Sequence, residues 1–235
     1  MAADGRATGQ PDIQAVAAVL GENGLVPRGG FSFEPGEVAP AGPAGTPARA
    51  VLLVGQAGAS IWPHLKRWRE ARSGEIADPL DNWSREVIGD VARRFSARAA
   101  FPFERPFLPF QQWATRAERL KPSPLGILMH PEYGLWHAYR GALLFDVEWP
   151  AAAADKPIHL CDLCNGKPCL SACPVSAYSE AGFAYGSCVG HLRSGRGETC
   201  MTAGCLARNA CPYGQAYRYP SEVQAYHQAR FAGSY

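Results

Sequence analysis

The stretch CDLCNGKPCLSACP, residues 161–174, sets four cysteines within fourteen positions and closes on a Cys-Pro pair. The other four, Cys188, Cys200, Cys205 and Cys211, all follow before residue 212, and Cys211 again precedes a proline. No cysteine lies upstream of Cys161. Thiolates are ligands for soft metals, so eight of them crowded at one end of a chain predict a metal module, with zinc and iron–sulfur clusters as the two usual intracellular outcomes. Disulfides are the remaining use, disfavoured in a reducing compartment. A segment of this size has little apolar core of its own and is expected to be stapled by what its thiols bind.

The rest of the chain sets the context. Its 235 residues, 47% hydrophobic, suffice for a packed domain with a small appended module. The net charge of +2 comes from 23 basic and 21 acidic residues that are well mixed, so neither a nucleic-acid partner nor an anionic membrane is expected. The opening MAADGRATGQPD has no basic segment followed by an apolar one, and no long apolar run occurs later, which predicts a cytoplasmic protein without export or membrane insertion.

Local patterns predict alternating helices and strands. DIQAVAAVL (12–20) reads as a short helix ending at Gly21, GLVPRGGFSFE as an irregular hairpin, and APAGPAGTPA (39–48) as a loop. AVLLVG (50–55) is a buried strand leading through GQAGAS, a tight turn or a weak phosphate loop, into the helix IWPHLKRWRE. PLDNWSREVIGDVARRF has helical spacing of apolar residues with Asp81 as a candidate N-cap. A strand is expected over 98–103, a helix at QQWATRAERL, an aromatic-rich strand over 135–149, and a closing helix at SEVQAYHQARF packed through Val223, Tyr226 and Phe231. Trp62, Trp68, Trp83, Trp113 and Trp149 read as anchors of core and loops. AAAADKP marks the boundary between an α+β layer domain over 1–155 and the cysteine module over 156–235.

The cysteine spacing discriminates between the metals. Zinc ribbons use two separated Cys-x-x-Cys knuckles, and only Cys161 to Cys164 has that form here. Four residues then precede Cys169 and three precede Cys173-Pro174, while the later cysteines are separated by eleven, four and five residues. With insertions, residues 158–213 resemble the two-cluster bacterial ferredoxin module, in which the Cys-Pro sulfur crosses to the other cluster. That resemblance implies two four-iron four-sulfur clusters, one on Cys161, Cys164, Cys169 and Cys211 and the other on Cys188, Cys200, Cys205 and Cys173. Structural zinc is the alternative. His159 and His191, close to these cysteines, are candidates to hydrogen-bond a sulfur, although packing roles are commoner.

A plain electron carrier has no need of the long upstream domain, which points to a second cofactor or a substrate site. The informative stretch is ILMHPEYGLWHAYRGALL, residues 127–144: a His-Pro pair, a turn at Glu132–Gly134, then alternation placing Trp136, Ala138 and Arg140 on one face and His137 and Tyr139 on the other. Arg140 within an apolar strand needs an anionic or carbonyl partner, and a neighbouring carboxylate would satisfy it. His130-Pro131, Tyr133-Gly134, Trp136, Ala138 and Arg140-Gly141 resemble the signature of the vitamin B12 processing protein that removes the upper ligand of cyanocobalamin. That family is similar to epoxyqueuosine reductase and reductive dehalogenase, whose nitroreductase-like α+β domain holds cobalamin ahead of a two-cluster ferredoxin-like module. Residues 51–235 also resemble bacterial proteins labelled simply as ferredoxins.

The resemblance implies a cobalamin-binding iron–sulfur oxidoreductase that delivers electrons to cobalt, fed by a donor such as a flavin reductase. His130, Tyr133, Gly134, Trp136 and Arg140 would contact the cofactor: Tyr133 and Trp136 along the corrin, Arg140 on an anionic or carbonyl group, His130 near cobalt or simply as a turn residue. The cysteine module is absent from the decyanating family, and the helical-repeat tail of epoxyqueuosine reductase is absent here, so no tRNA or organohalide substrate is carried over. The alternative reading is a ferredoxin-type carrier whose front domain docks a partner enzyme without cobalamin.

Overall fold

The computed structural model describes residues 11–149, 157–179 and 182–233. The opening stretch 1–10 and most of the expected boundary segment, 151–156, lie outside the described residues. The chain divides into two compact units: residues 1–56, 60–119 and 138–155 form the first, and 57–59, 120–137 and 156–235 the second. Residues 120–137 precede the expected boundary in sequence but cluster with the cysteine segment.

The fold is α+β. The first unit begins with α1 (Ile13–Gly21), opened by Asp12, whose carboxylate accepts from the backbone N–H groups of Gln14 and Ala15 at 3.0 and 3.1 Å. β1 (Val26–Ser32) follows and pairs antiparallel with β2 (Ala50–Ala57). GLVPRGGFSFE thus supplies one strand rather than a hairpin of its own. The register slips between Pro27 and Gly30, where Gly29 has φ +68° and a side chain on Gly30 would stand 2.6 Å from Val51 O. β2 is buried from Ala50 to Gln56, which is why it reads as a continuous apolar run with no alternation.

The helices α2 (Trp62–Glu70) and α3 (Pro79–Arg94) come next. Asp78, not Asp81, occupies the cap position of α3; Pro79 opens the helix and Asp81 lies in its first turn. Beyond β3 (Arg98–Ala100) and α4 (Phe110–Glu118), β4 (His137–Phe145) completes a four-stranded sheet in the order β1-β2-β4-β3. Both β3 and β4 are shorter than the sequence pattern suggested, and Trp136 and Trp149, which flank β4, are buried outside the ladder. Trp83, Ile88, Leu20, Leu52, Leu53, Leu65 and Leu143 fill the core, and Trp113 and Trp149 are buried with them.

One buried charge in this unit escapes sequence inspection. Arg28, on β1, is 2% exposed and donates to both carboxylate oxygens of Glu118 on α4, at 2.9 and 3.0 Å. Its guanidinium stands 4.7 Å over the ring of Tyr139 on β4, whose O–H also donates to Glu118. Burial raises the Tyr139 phenol far above its ordinary range, so it remains a donor. Arg140, beside it, donates to Tyr139 O at 3.2 Å and supplies the charge that partly offsets the burial of Asp81. Asp81's pKa is nevertheless raised, because its desolvation outweighs the pull of Arg140 and Arg85.

The second unit is built from short pieces. These are α5 (Pro168–Ser171), the small hairpin β5 (Tyr178–Ser179) and β6 (Gly182–Phe183), α6 (Tyr185–Leu192), α7 (Glu198–Ala203), α8 (Leu206–Asn209) and α9 (Ser221–Gly233). Helices this short do not stand alone. α9 braces them: Gln224 donates to Tyr219 O and accepts from Asn209 Nδ2, and Gln228 donates to Cys200 O. Val223 is buried as expected, whereas Tyr226 and Phe231 are half-buried and Gln224 and Ala232 take the inner positions. Among the described residues, no helix is long and apolar enough to cross a membrane.

Candidate metal centre

Each cysteine sits on one of these short elements or in the turn beside it. Cys161 lies in a 3-10 turn at Leu160–Asp162, Cys164 just after it, Cys169 on α5, and Cys211 after α8 and before Pro212. Cys173 follows α5, Cys188 is on α6, Cys200 on α7, and Cys205 caps the start of α8. All eight are free thiols.

The sulfurs fall into two neighbourhoods. Cys161, Cys164, Cys169 and Cys211 line one cavity together with Met129, Leu135 and Pro212. Burial pushes the Cys161 thiol up to about 11, and Cys211, Cys169 and Cys164 add to the rise while Lys167 opposes it. Burial likewise takes Cys188 to about 11, and there the added contributions come from Cys205, Cys173 and Cys200. Cys173 thus groups electrostatically with the later cysteines, and Cys211 with the earlier ones. Among the described residues, no three His, Cys, Asp or Glu side chains are grouped so as to hold a single metal ion.

The segment 127–137 packs within this unit, against the last cysteine. The bridge between His130 and Gly134 closes a tight turn, and Gly134 has φ +58°. A side chain on Gly134 would overlap the Tyr213 carbonyl, and one on Gly214 would overlap the Tyr133 carbonyl, so two glycines let the turn lie directly on the chain leaving Cys211. His130 Nδ1 accepts from the backbone N–H groups of Glu132 and Tyr133, both at 3.1 Å, and its ring stacks on Tyr133 at 4.0 Å. The neutral imidazole therefore carries its proton on Nε2. Tyr133 meets Tyr217 edge-on at 4.8 Å, and the Tyr217 O–H donates to Glu132.

Trp136 precedes β4 and is wholly buried, so it does not share a strand face with Arg140. Arg208 of α8 lies 4.4 Å over its ring and 4.7 Å over Tyr219, and donates to Leu135 O. Trp136 Nε1 and Arg208 Nε are both buried without a hydrogen-bond partner. Of the five residues expected to touch a cofactor, His130, Tyr133, Gly134 and Trp136 come together in the second unit, while Arg140 belongs to the first.

Sequence reasoning missed Arg208, Gly214 and Tyr178. Arg208 looks like an ordinary exposed helix residue, and Gly214 like a generic turn glycine. Tyr178 has its O–H 4.0 Å from Cys205 Sγ, a contact between residues far apart in the chain. His191 Nε2, anticipated as a sulfur partner, lies 3.7 Å from Cys200 Sγ; His159 Nδ1 is buried without a partner. Gly58, in the loop considered for phosphate, has φ +55° and donates its N–H to Trp136 O at 2.7 Å.

No family model and no curated protein matches the chain. Among solved structures it is similar to epoxyqueuosine reductase from Bacillus subtilis, with 13% identity, a TM-score of 0.47, and coverage of 90% of this chain and 68% of that one. It is similar to epoxyqueuosine reductase from Streptococcus thermophilus, with 15% identity and a TM-score of 0.47 over 74% of this chain; there it spans about half of the other chain's length, 51%. A third similar structure is the C. elegans B12-trafficking protein CblC, a human MMACHC homologue, with 13% identity, a TM-score of 0.45, and coverage of 93% of this chain and 96% of that one.

Proposed function

We propose that the chain is a two-cluster iron–sulfur protein that passes electrons to cobalamin. The observation that carries the first half is the division of eight free thiols into two sets of four: Cys161, Cys164, Cys169 and Cys211, and Cys173, Cys188, Cys200 and Cys205. Four thiolates are the full ligand complement of one four-iron cluster, and eight leave none over. The donor set fits: soft sulfur ligands, with Cys161, Cys169 and Cys211 buried and Cys164 half-buried beside Met129, Leu135 and Pro212. The thiols must lose their protons to ligate, and burial makes that harder, so loading releases protons and is favoured by mild alkali.

The second half rests on the resemblance of residues 130–141 to the B12-processing signature and on the packing of residues 130–134 against the chain leaving Cys211. A bound cobalamin would supply a metal that takes up an electron and then releases its upper ligand. Trp136 Nε1–H, buried and unpartnered, suits a ligand rimmed with carbonyl and phosphate acceptors. His130 would present Nε2–H, Tyr133 its ring, Gly134 a close backbone approach, and Arg140 its guanidinium to an acceptor; a flavin reductase is the kind of donor that would refill the clusters.

A second reading has its own support. The imidazole of His130 is engaged by the backbone, Trp136 lies under Arg208, and Arg140 serves Asp81, so the same side chains have structural work without any ligand. On that reading the protein is a ferredoxin-type carrier. Anaerobic reconstitution followed by hydroxocobalamin titration separates the two. About eight irons and eight sulfides per chain are expected, with a change in the corrin absorption spectrum at micromolar protein. Full iron with an unchanged corrin spectrum leaves the carrier; zinc without iron removes both.

A further inference from the structure

The two thiol sets differ in what their sulfurs meet. In the second set, Tyr178 O–H stands 4.0 Å from Cys205 Sγ, His191 Nε2 stands 3.7 Å from Cys200 Sγ, and the Ala177 N–H donates to Cys173 Sγ at 3.3 Å. In the first set, backbone N–H groups of Cys169, Leu170 and Tyr213 serve Cys169 and Cys211, and no side-chain hydroxyl or imidazole is among the groups that act on Cys161, Cys169 or Cys211. Lys167 is the cation near Cys161, but it is exposed and its charge is screened by water.

Tyr178 is held for this contact. It opens β5, and its ring stacks on Phe183 of β6 at 4.9 Å. A phenol O–H can donate and a metal-bound thiolate has no proton to give, so the hydrogen bond runs from Tyr178 to Cys205 once that sulfur is a ligand. One-electron reduction of a cluster adds negative charge to its sulfurs, and a donor that shares this charge stabilises the reduced form, which raises the potential.

Resting on the two-cluster reading, we infer that Tyr178 sets the potential of the cluster on Cys173, Cys188, Cys200 and Cys205 and makes it the first of the two to accept an electron. Tyr178 acts through Cys205 and is a positioning residue. The test is an EPR-monitored redox titration with dithionite as the one-electron donor, on full-length protein reconstituted without oxygen, with iron and sulfide counted first. Tyr178→Phe keeps the ring stack and removes the O–H. It is expected to retain full iron while the higher of two midpoints falls by about 59 mV, a tenfold change in the reduced-to-oxidised ratio of a one-electron couple, and the lower midpoint stays put. If that variant loads poorly, 3-fluorotyrosine placed at 178 by codon suppression offers a more acidic O–H in the same space, and the same midpoint should rise. Full iron with neither midpoint moved, or with both moved equally, overturns the role of Tyr178 and leaves the two-cluster reading intact; wild-type protein without iron overturns both.

Discussion

The pairing of distant cysteines makes a prediction that a linear grouping reverses. Burial first, and then Cys211, Cys169 and Cys164, raises the Cys161 thiol; the corresponding neighbours of Cys188 are Cys205, Cys173 and Cys200. Two ligands taken from one set should destroy that cluster alone, whereas one ligand taken from each set damages both. Wild-type protein should hold about eight irons per chain. Cys161→Ser with Cys211→Ser should then hold about four, with one cluster signal at full intensity and unaltered midpoint. Cys161→Ser with Cys173→Ser should hold no unaltered cluster. If the cysteines instead grouped in sequence order, Cys161 and Cys173 would share a site and the second double variant would be the one to keep an intact cluster. Iron analysis and EPR spin quantitation on oxygen-free material read the difference directly. An intact signal in Cys161→Ser/Cys173→Ser would refute the crossed arrangement.

Three further outcomes follow from the packing. Arg28→Met leaves the mostly buried Glu118 without its cation, which should cost about 3–5 kcal/mol in urea unfolding, while Arg28→Met with Glu118→Leu should recover most of it; an equal loss in the double variant would mean that the pair is not what matters at this site. Gly134→Ala should cost about 2–4 kcal/mol, from left-handed backbone strain plus overlap with the Tyr213 carbonyl, and should lower iron retention, whereas Gly126→Ala, at φ +77° with open space around it, should cost only about 1–2 kcal/mol. The metal-free protein should lose stability as pH rises from about 9 toward 11: burial lifts the Cys161 and Cys188 thiols to about 11, so below pH 9 they are protonated folded or unfolded, and above it the unfolded chain ionises first and is favoured. Denaturant midpoints measured between pH 8 and 11 that stay level would show that burial does not hold these thiols neutral.

Elements with a strong local signature were legible in the sequence. α1, the buried run of β2, and the amphipathic α3 lie close to where the pattern put them. β1 was misread because Pro27, Gly29 and Gly30 resemble a turn; they are tolerated in a strand since the register slips there and Trp149 and Val51 lie too close for a side chain. Trp136 and Arg140 have the spacing of one strand face, yet Trp136 stops short of β4, because Arg208 and Tyr219 from more than seventy residues onward hold its ring.

By itself the chain's order of residues determined that eight thiols crowd one end, and that a sheet-and-helix domain precedes them, because metal affinity and hydrophobic periodicity are properties of neighbours along the backbone. That Gly134 must lie against Tyr213 and that Tyr178 meets Cys205 were decided only by the tertiary structure. Those relations join residues tens of positions apart, and no local spacing encodes a distance that exists only once the short helices have packed.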